Sequence, residues 1–154
     1  MGLNIADLKI SSSAFEPHGR IPDRHTGAAE DVSPELSWSG VPEGTKELAL
    51  VCHDPDAPLP HGFTHWVLYG IPADASGIEE GGGAGFVEGE NDFGNQGWNG
   101  PAPPEGHGVH HYYLWLYALD TEVGADPGLS RAELLERIGD HVIEQARLVG
   151  TCER

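Results

Sequence analysis

The chain has 154 residues and a mass of 16.5 kDa, the size of one compact domain, so 1–154 is read as a single domain. Hydrophobic residues make up 38% of it, enough for one core, yet apolar runs such as Leu48–Cys52 fall far short of the ~20 residues of a membrane span. Asp plus Glu number 25 against 8 Lys plus Arg, a net charge of −17, which is the wrong field for a nonspecific nucleic-acid binder or an anionic membrane surface.

The only lysines are Lys9 and Lys46, and the acids are dispersed along the chain rather than gathered in a tail. Acid excess with lysine scarcity suits a very salty cytoplasm, so a halophilic, cytoplasmic protein is expected. The opening MGLNIADLKISSS lacks the basic start and apolar stretch of a signal peptide. Cys52 and Cys152 cannot build a disulfide scaffold, which also fits a reduced compartment.

Leu8 to Ala14 is a short candidate strand. Residues 17–36 are polar and irregular, punctuated by Pro17, Pro22, Gly27 and Pro34. Glu35 to Ser39 is a second strand, carrying Trp38. After the turn Gly40–Gly44, Glu47 to His53 reads as a buried strand, because its apolar run is short and bounded by turn residues. Asp54-Pro55-Asp56-Ala57-Pro58 then breaks regular pairing, since proline donates no ladder hydrogen bond. Phe63 to Ile71 is the next strand; period two puts Phe63, His65, Val67, Tyr69 and Ile71 on one face.

Residues 70–108 hold more than half of the 22 glycines and must be mostly loop. His110 to Leu119 is the strongest strand. One face carries His110, Tyr112, Leu114, Leu116 and Ala118, and the other carries His111, Tyr113, Trp115, Tyr117 and Leu119. Ser130-Arg131-Ala132-Glu133 forms a capping box. Leu134, Ile138, Val142 and Gln145 follow at helical spacing, with Leu135 and Val149 beside them, so a C-terminal helix with Gly150 as its cap is expected. Consecutive strands without intervening helices argue against a doubly wound α/β fold.

No P-loop, G-x-G-x-x-G, G-x-S-x-G elbow, C-x-x-C or H-E-x-x-H is present. His/Asp groups at strand ends remain: Asp54 and Asp56, His65, and His107, His110, His111 and Tyr112 after a Pro/Gly-rich loop. Taken singly they read as a turn, ordinary strand residues and a connector. Together in one small chain they favour a pocket built at strand ends. His110 and Tyr112 point to the same side of one strand, and imidazole and phenol both suit a phosphate or carboxylate oxygen. A different chemistry uses the same residues: Asp54, Asp56, His65 and His110 are competent zinc or manganese ligands, with His107-x-x-His110 beside them, as in a metal-dependent hydrolase.

An ordered series of motifs spans residues 10–120. It runs Ser33-Pro34-Glu35-Leu36-Ser37-Trp38, Asp54-Pro55-Asp56-Ala57-Pro58, His65-Trp66-Val67 and Asn91-Asp92-Phe93-Gly94. It continues with Gly97-Trp98-Asn99-Gly100-Pro101-Ala102-Pro103-Pro104 and His110-His111-Tyr112. This series resembles the phosphatidylethanolamine-binding protein (Raf kinase inhibitor-like) family, in its short bacterial and archaeal branch.

The resemblance implies a mainly β fold of two packed antiparallel sheets with peripheral helices. It implies a non-catalytic protein without a cofactor, holding a phosphate-like anion or phosphorylated headgroup. Carried over by position, the pocket would comprise Asp54, Asp56, Ala57, Pro58, His65, Gly100, Ala102, Pro103, Pro104, His110 and Tyr112, with His111 facing away. In this reading His65 and His110 donate ring N–H groups to an anion, Tyr112 adds its hydroxyl, and non-proline amides of 100–104 assist. One aspartate orients a histidine or shares a proton with the ligand. The family likeness also implies a kinase or protease target, and exposed sheet edges invite homodimerisation. Ala102, where many members have glycine, implies a tighter loop. The chain's short end, Thr151-Cys152-Glu153-Arg154, implies a more open pocket.

Overall fold

The computed structural model describes residues 7–153, so the first six residues of the opening stretch read above lie outside the described residues. The protein is mainly β. Its strands are β1 (Lys9–Ser11), β2 (Leu36–Ser39), β3 (Glu47–Asp54), β4 (Phe63–Pro72), β5 (Gly77–Ile78), β6 (Val87–Glu88), β7 (His110–Leu119) and β8 (Val142–Cys152); one helix, α1 (Arg131–Ile138), precedes β8. Strands β1, β2 and β5 form a small antiparallel sheet in the order β1-β2-β5. The rest form a five-stranded antiparallel sheet in the order β6-β4-β3-β7-β8.

The apolar run in β3 has a simple cause: all eight residues of this central strand are buried, because both faces are covered. On the inner face Leu48, Leu50 and Cys52 join Leu36 and Trp38 of the small sheet and Leu114 and Leu116 of β7. On the outer face Ala49 and Val51 join Tyr69, Leu119 and, from α1, Leu134 and Ile138. Strand β7 alternates as its sequence predicts, with Tyr112, Leu114, Leu116 and Ala118 turned inward.

Helix α1 starts on the expected capping box. The Glu133 amide donates to Ser130 Oγ at 3.2 Å, and the Ser130 amide to Glu133 Oε1 at 3.0 Å. The expected continuation through Val142, Gln145 and Val149 is overturned. The helix stops at Ile138, and β8 pairs with β7 from His110↔Cys152 to Leu119↔Val142. Ladder hydrogen bonds along the whole of β7 outweigh a few apolar residues at helical spacing. Gly150 is therefore no helix cap. It lies opposite Tyr112, where a Cβ would come within 2.6 Å of Ile21 Cγ1 and 2.8 Å of Phe15 Cε2. Cys152 is buried in β8 and Cys52 in β3, and neither is in a disulfide.

The single face assigned to β4 does not survive either. Cys52 pairs with Trp66 but His53 with Thr64, and Leu48 pairs with Ile71 but Leu50 with Leu68. Each shift inserts one extra residue in β4, a β-bulge. Val67 and Tyr69 pack on the outer face beneath α1, and Ile71 joins the inner core. His65 is the extra residue of the first bulge, which re-aims its ring toward Tyr112, 5.2 Å between centroids. Residues 73–109 are mainly irregular, holding only β5, β6 and a 3-10 turn at Gly82–Gly85. Among the described residues no helix is long and apolar enough to cross a membrane.

Candidate functional site

Strand β3 runs antiparallel to both β4 and β7. The end of β3 and the starts of β4 and β7 therefore lie at one edge of the large sheet. That edge delivers Asp54, His65, His110 and Tyr112 to a pocket of about 270 Å3. All four are almost fully buried and form its floor. Ala57, Pro58, Ala102, Pro103 and Pro104 supply apolar walls, and Phe63, Phe93 and Leu59 complete the lining. Leu59 and Phe93, 53% and 47% exposed, make an apolar rim.

His110 Nδ1 donates to Asp54 Oδ2 at 2.7 Å, both side chains being buried. Asp54 Oδ1 accepts the Asp56 amide at 2.7 Å, so one carboxylate holds the turn and orients the ring. Beyond His110 the rings of His107 and Tyr112 stack on either side, at 6.1 and 6.5 Å. Burial pushes the Tyr112 phenol well up, and the Asp54 charge adds to it. Tyr112 therefore stays protonated and can offer its hydroxyl as a donor.

His65 takes a different role from the expected one. Its Nδ1 lies 2.7 Å from the Asn99 carbonyl oxygen, an acceptor, so in the neutral ring the proton is on Nδ1 and Nε2 is an acceptor. Burial holds the imidazole below its ordinary pKa, against the opposing pull of the Asn99 hydrogen bond and the Asp54 charge. In the neutral ring Nε2 can only accept a hydrogen bond, and it can donate one only once the ring is protonated. The lining contains no Lys or Arg, so a ligand meets hydrogen-bonding groups and the Asp54–His110 pair rather than fixed cations.

Nine of the eleven sequence-predicted residues line this pocket. Asp56 does not. Its Oδ2 accepts both the backbone amide of His111, at 2.7 Å, and His111 Nδ1, at 2.8 Å, on the exposed side of β7. Burial works to raise the Asp56 carboxyl, but the His111 hydrogen bonds and charge outweigh it and hold it below the ordinary range. Gly100 is the other exception: its amide donates to Asp31 Oδ1 at 2.7 Å. With that amide spent and residues 101, 103 and 104 proline, Ala102 alone keeps an amide N–H for the loop to offer.

Several positioning residues were not assigned by the sequence. Asn91, buried, donates from Nδ2 to the Gly97 carbonyl at 3.0 Å and to Asn99 Oδ1 at 2.8 Å; its Oδ1 accepts the amides of Phe93 and Asn95. It thus places both the Phe93 rim and the Asn99 carbonyl that orients His65. Asp92 Oδ2 takes the Thr64 amide beside the bulge, at 2.7 Å. Asp31 holds the 100–104 loop from a left-handed backbone, φ 55°. The N-D-F-G and W-N-G segments marked the region; the side-chain burial that gives these residues their roles is not visible in a sequence.

The alternative ligand set is not assembled. Asp54 and His110 are engaged with each other, and Asp56 is turned away with His111. Among the described residues no three His, Cys, Asp or Glu side chains are grouped to hold a metal ion.

The chain is thus a two-sheet β protein with a buried Asp–His pair, a second histidine and a tyrosine beneath a proline-walled mouth. The family model for phosphatidylethanolamine-binding proteins matches residues 11–153, and the chain belongs to that family, in its bacterial and archaeal branch. A UPF0098 protein of Methanothermobacter thermautotrophicus is 46% identical over 153 residues, covering 96% of this chain and 99% of the relative. The UPF0098 protein YbhB of Escherichia coli is 35% identical, covering 92% and 97%. The crystal structure of a phosphatidylethanolamine-binding protein homologue from Chlamydia trachomatis superposes with a TM-score of 0.91 at 33% identity, covering 97% of this chain and 99% of that one. E. coli YBCL, described as a member of the mammalian PEBP family, gives 0.90 at 32% identity with the same coverage.

Proposed function

We propose that this chain is a non-catalytic binding protein that takes a small phosphate-like anion, or the phosphorylated headgroup of a larger molecule, in the Asp54–His65–His110–Tyr112 pocket. The observation that carries this reading is the convergence of three hydrogen-bonding rings from two strands on one floor, beneath walls of alanine and proline. The lining holds no Ser, Cys or Lys, and its one carboxylate, Asp54, is tied up by the His110 ring N–H and the Asp56 amide, which supports binding over group transfer.

The proton inventory favours a singly charged ligand. Tyr112 donates to an anionic oxygen. His65 Nε2 accepts from a P–OH group, or becomes a donor after taking a proton. A phosphate monoester loses its second proton near pH ~6, so acidification supplies the missing proton from either side. Affinity therefore rises as pH falls. Titration calorimetry with phosphoethanolamine between pH 5.5 and 8.5 tests it, and equal affinity at both ends defeats it. Tyr112→Phe removes one donor to a charged oxygen and is expected to weaken binding about tenfold.

A further inference from the structure

The reverse side of the same sheet carries a second constellation that the pocket does not use. Odd-numbered residues of β7 face outward, and the rings of Tyr113, Trp115 and Tyr117 form a ladder. Neighbouring rings are nearly parallel, 15° and 13° apart, at 6.0 and 6.4 Å. Arg147, opposite Trp115 on β8, lays its guanidinium over Tyr113 at 5.7 Å and over Trp115 at 5.8 Å. On the β3 side of the ladder lies a cleft of about 380 Å3, lined by Tyr113, Trp115, His53, Pro55 and, from the start of α1, Arg131.

Charge makes the cleft unusual. This chain has three acids for every base, and Arg20 and Arg24 each hold a carboxylate. Arg131 and Arg147 hold none among the described residues. The nearby acids are already committed: Asp54 to His110 and the Asp56 amide, Asp92 to the Thr64 amide. His53, its Nδ1 against Thr64 Oγ1 at 3.0 Å, is kept neutral by burial and by Arg131 against the opposing charges of Asp92 and Asp54, and no carboxylate lines the cleft itself.

We infer that this outer cleft is a second ligand site, taking a small aromatic ring that bears one anionic group. The ring lies against Tyr113, Trp115 and Pro55, and the anion pairs with Arg131. Arg147, on the far side of the ladder, fixes the two rings by cation–π contact and adds positive field. A guanidinium serves carboxylate and phosphate alike, so benzoate and phenyl phosphate separate the two sources.

The test is amide and indole NMR of the 15N-labelled protein, titrated with either probe to about 50 mM, the range a fragment of this size requires. The expected result is a saturable shift of the Trp115 indole signal with at least one probe. Acetate (no ring) and benzyl alcohol (no charge) should bind at least about fivefold more weakly, and Arg131→Gln should weaken the better probe by about fivefold or more, the worth of one partly exposed charge-assisted hydrogen bond. Tyr112→Phe, in the inner pocket, should leave the Trp115 titration unchanged, which separates the two sites. Absence of a saturable shift with both probes overturns the inference. So does equal binding of acetate, or an Arg131→Gln protein of unchanged spectrum that binds as well as the parent.

Discussion

Two histidine–aspartate pairs lie within a few residues of each other and differ in one respect. His110 Nδ1 is 2.7 Å from Asp54, and His111 Nδ1 is 2.8 Å from Asp56. The first pair is 6% and 4% exposed; the second is 43% and 40% exposed. Asp54→Ala leaves the His110 ring N–H and the Asp56 amide without their acceptor in a nearly dry site, and breaking a buried pair in this way costs about 3–5 kcal/mol. Asp56→Ala leaves groups that water reaches, and an exposed pair is worth about 0–1 kcal/mol.

Urea unfolding followed by tryptophan fluorescence measures both, with an unchanged m-value certifying the comparison. Added salt should shrink the Asp56 effect and leave the Asp54 effect nearly intact. Replacing both buried partners, as in Asp54→Leu with His110→Phe, should recover most of the loss, because no charge is then stranded. Equal costs for the two alanine variants, within about 0.5 kcal/mol, would refute the reasoning, since burial would then not be the deciding variable. A double variant as unstable as Asp54→Ala would do the same.

Burial, reinforced by Arg131, lowers the His53 imidazole to about 4. An unfolded chain protonates this ring near pH ~6.5. The stability gained by keeping His53 neutral is therefore present above that value and lost as pH falls toward 4. His53→Gln should flatten the stability–pH curve in this window, measured by urea midpoints; an unaltered slope contradicts the assignment. Gly100→Ala should displace the 100–104 loop, because its Cβ would collide with the His25 carbonyl and lie 2.7 Å from Asp31 Oδ1. Loss of phosphoethanolamine binding with a weakened fold is expected, and normal calorimetry would be the contrary result. Ser130→Ala removes one half of the capping box of α1 and should cost about 1 kcal/mol by thermal unfolding, with the pocket's ligand affinity unchanged.

The strands that build the pocket floor were legible because each announces itself locally. Strand β3 is an apolar run closed by Asp-Pro-Asp, and β7 alternates over ten residues. Strand β8 was not, for two reasons. The capping box at Ser130 is real, and Leu134, Ile138, Val142 and Gln145 happen to continue its period. What ends the helix is tertiary: β7 offers an open edge, and the Asp120 amide bonds the His141 carbonyl at 2.9 Å to fix the turn into it. The face of His65 was misread because a bulge leaves no mark in the order of residues, only in their pairing. Asp54 and Asp56 look equivalent in the motif. Only the fold distinguishes them: Asp54 is the last residue of β3 and points inward, while Asp56 is carried by the following turn to the outside of β7. Gly100 belonged to the right loop, with its role set by a partner 69 residues away.

The closing strand also sets an order of assembly. Thr151 receives the Ile21 amide on its carbonyl and donates its own amide to Gly19, while the His18 amide bonds Val149, so the early segment 18–21 is stitched to the last strand. The β3 ladder reaches β7 only as far as Tyr113, so His110 and Tyr112 likewise take their strand partners, Cys152 and Gly150, from that strand. During synthesis neither the pocket floor nor the early segment can be locked until residue 152 has left the ribosome. The nascent chain must therefore keep β7 without a partner on one side for some thirty residues of translation, and its edge is open to mispairing throughout that interval.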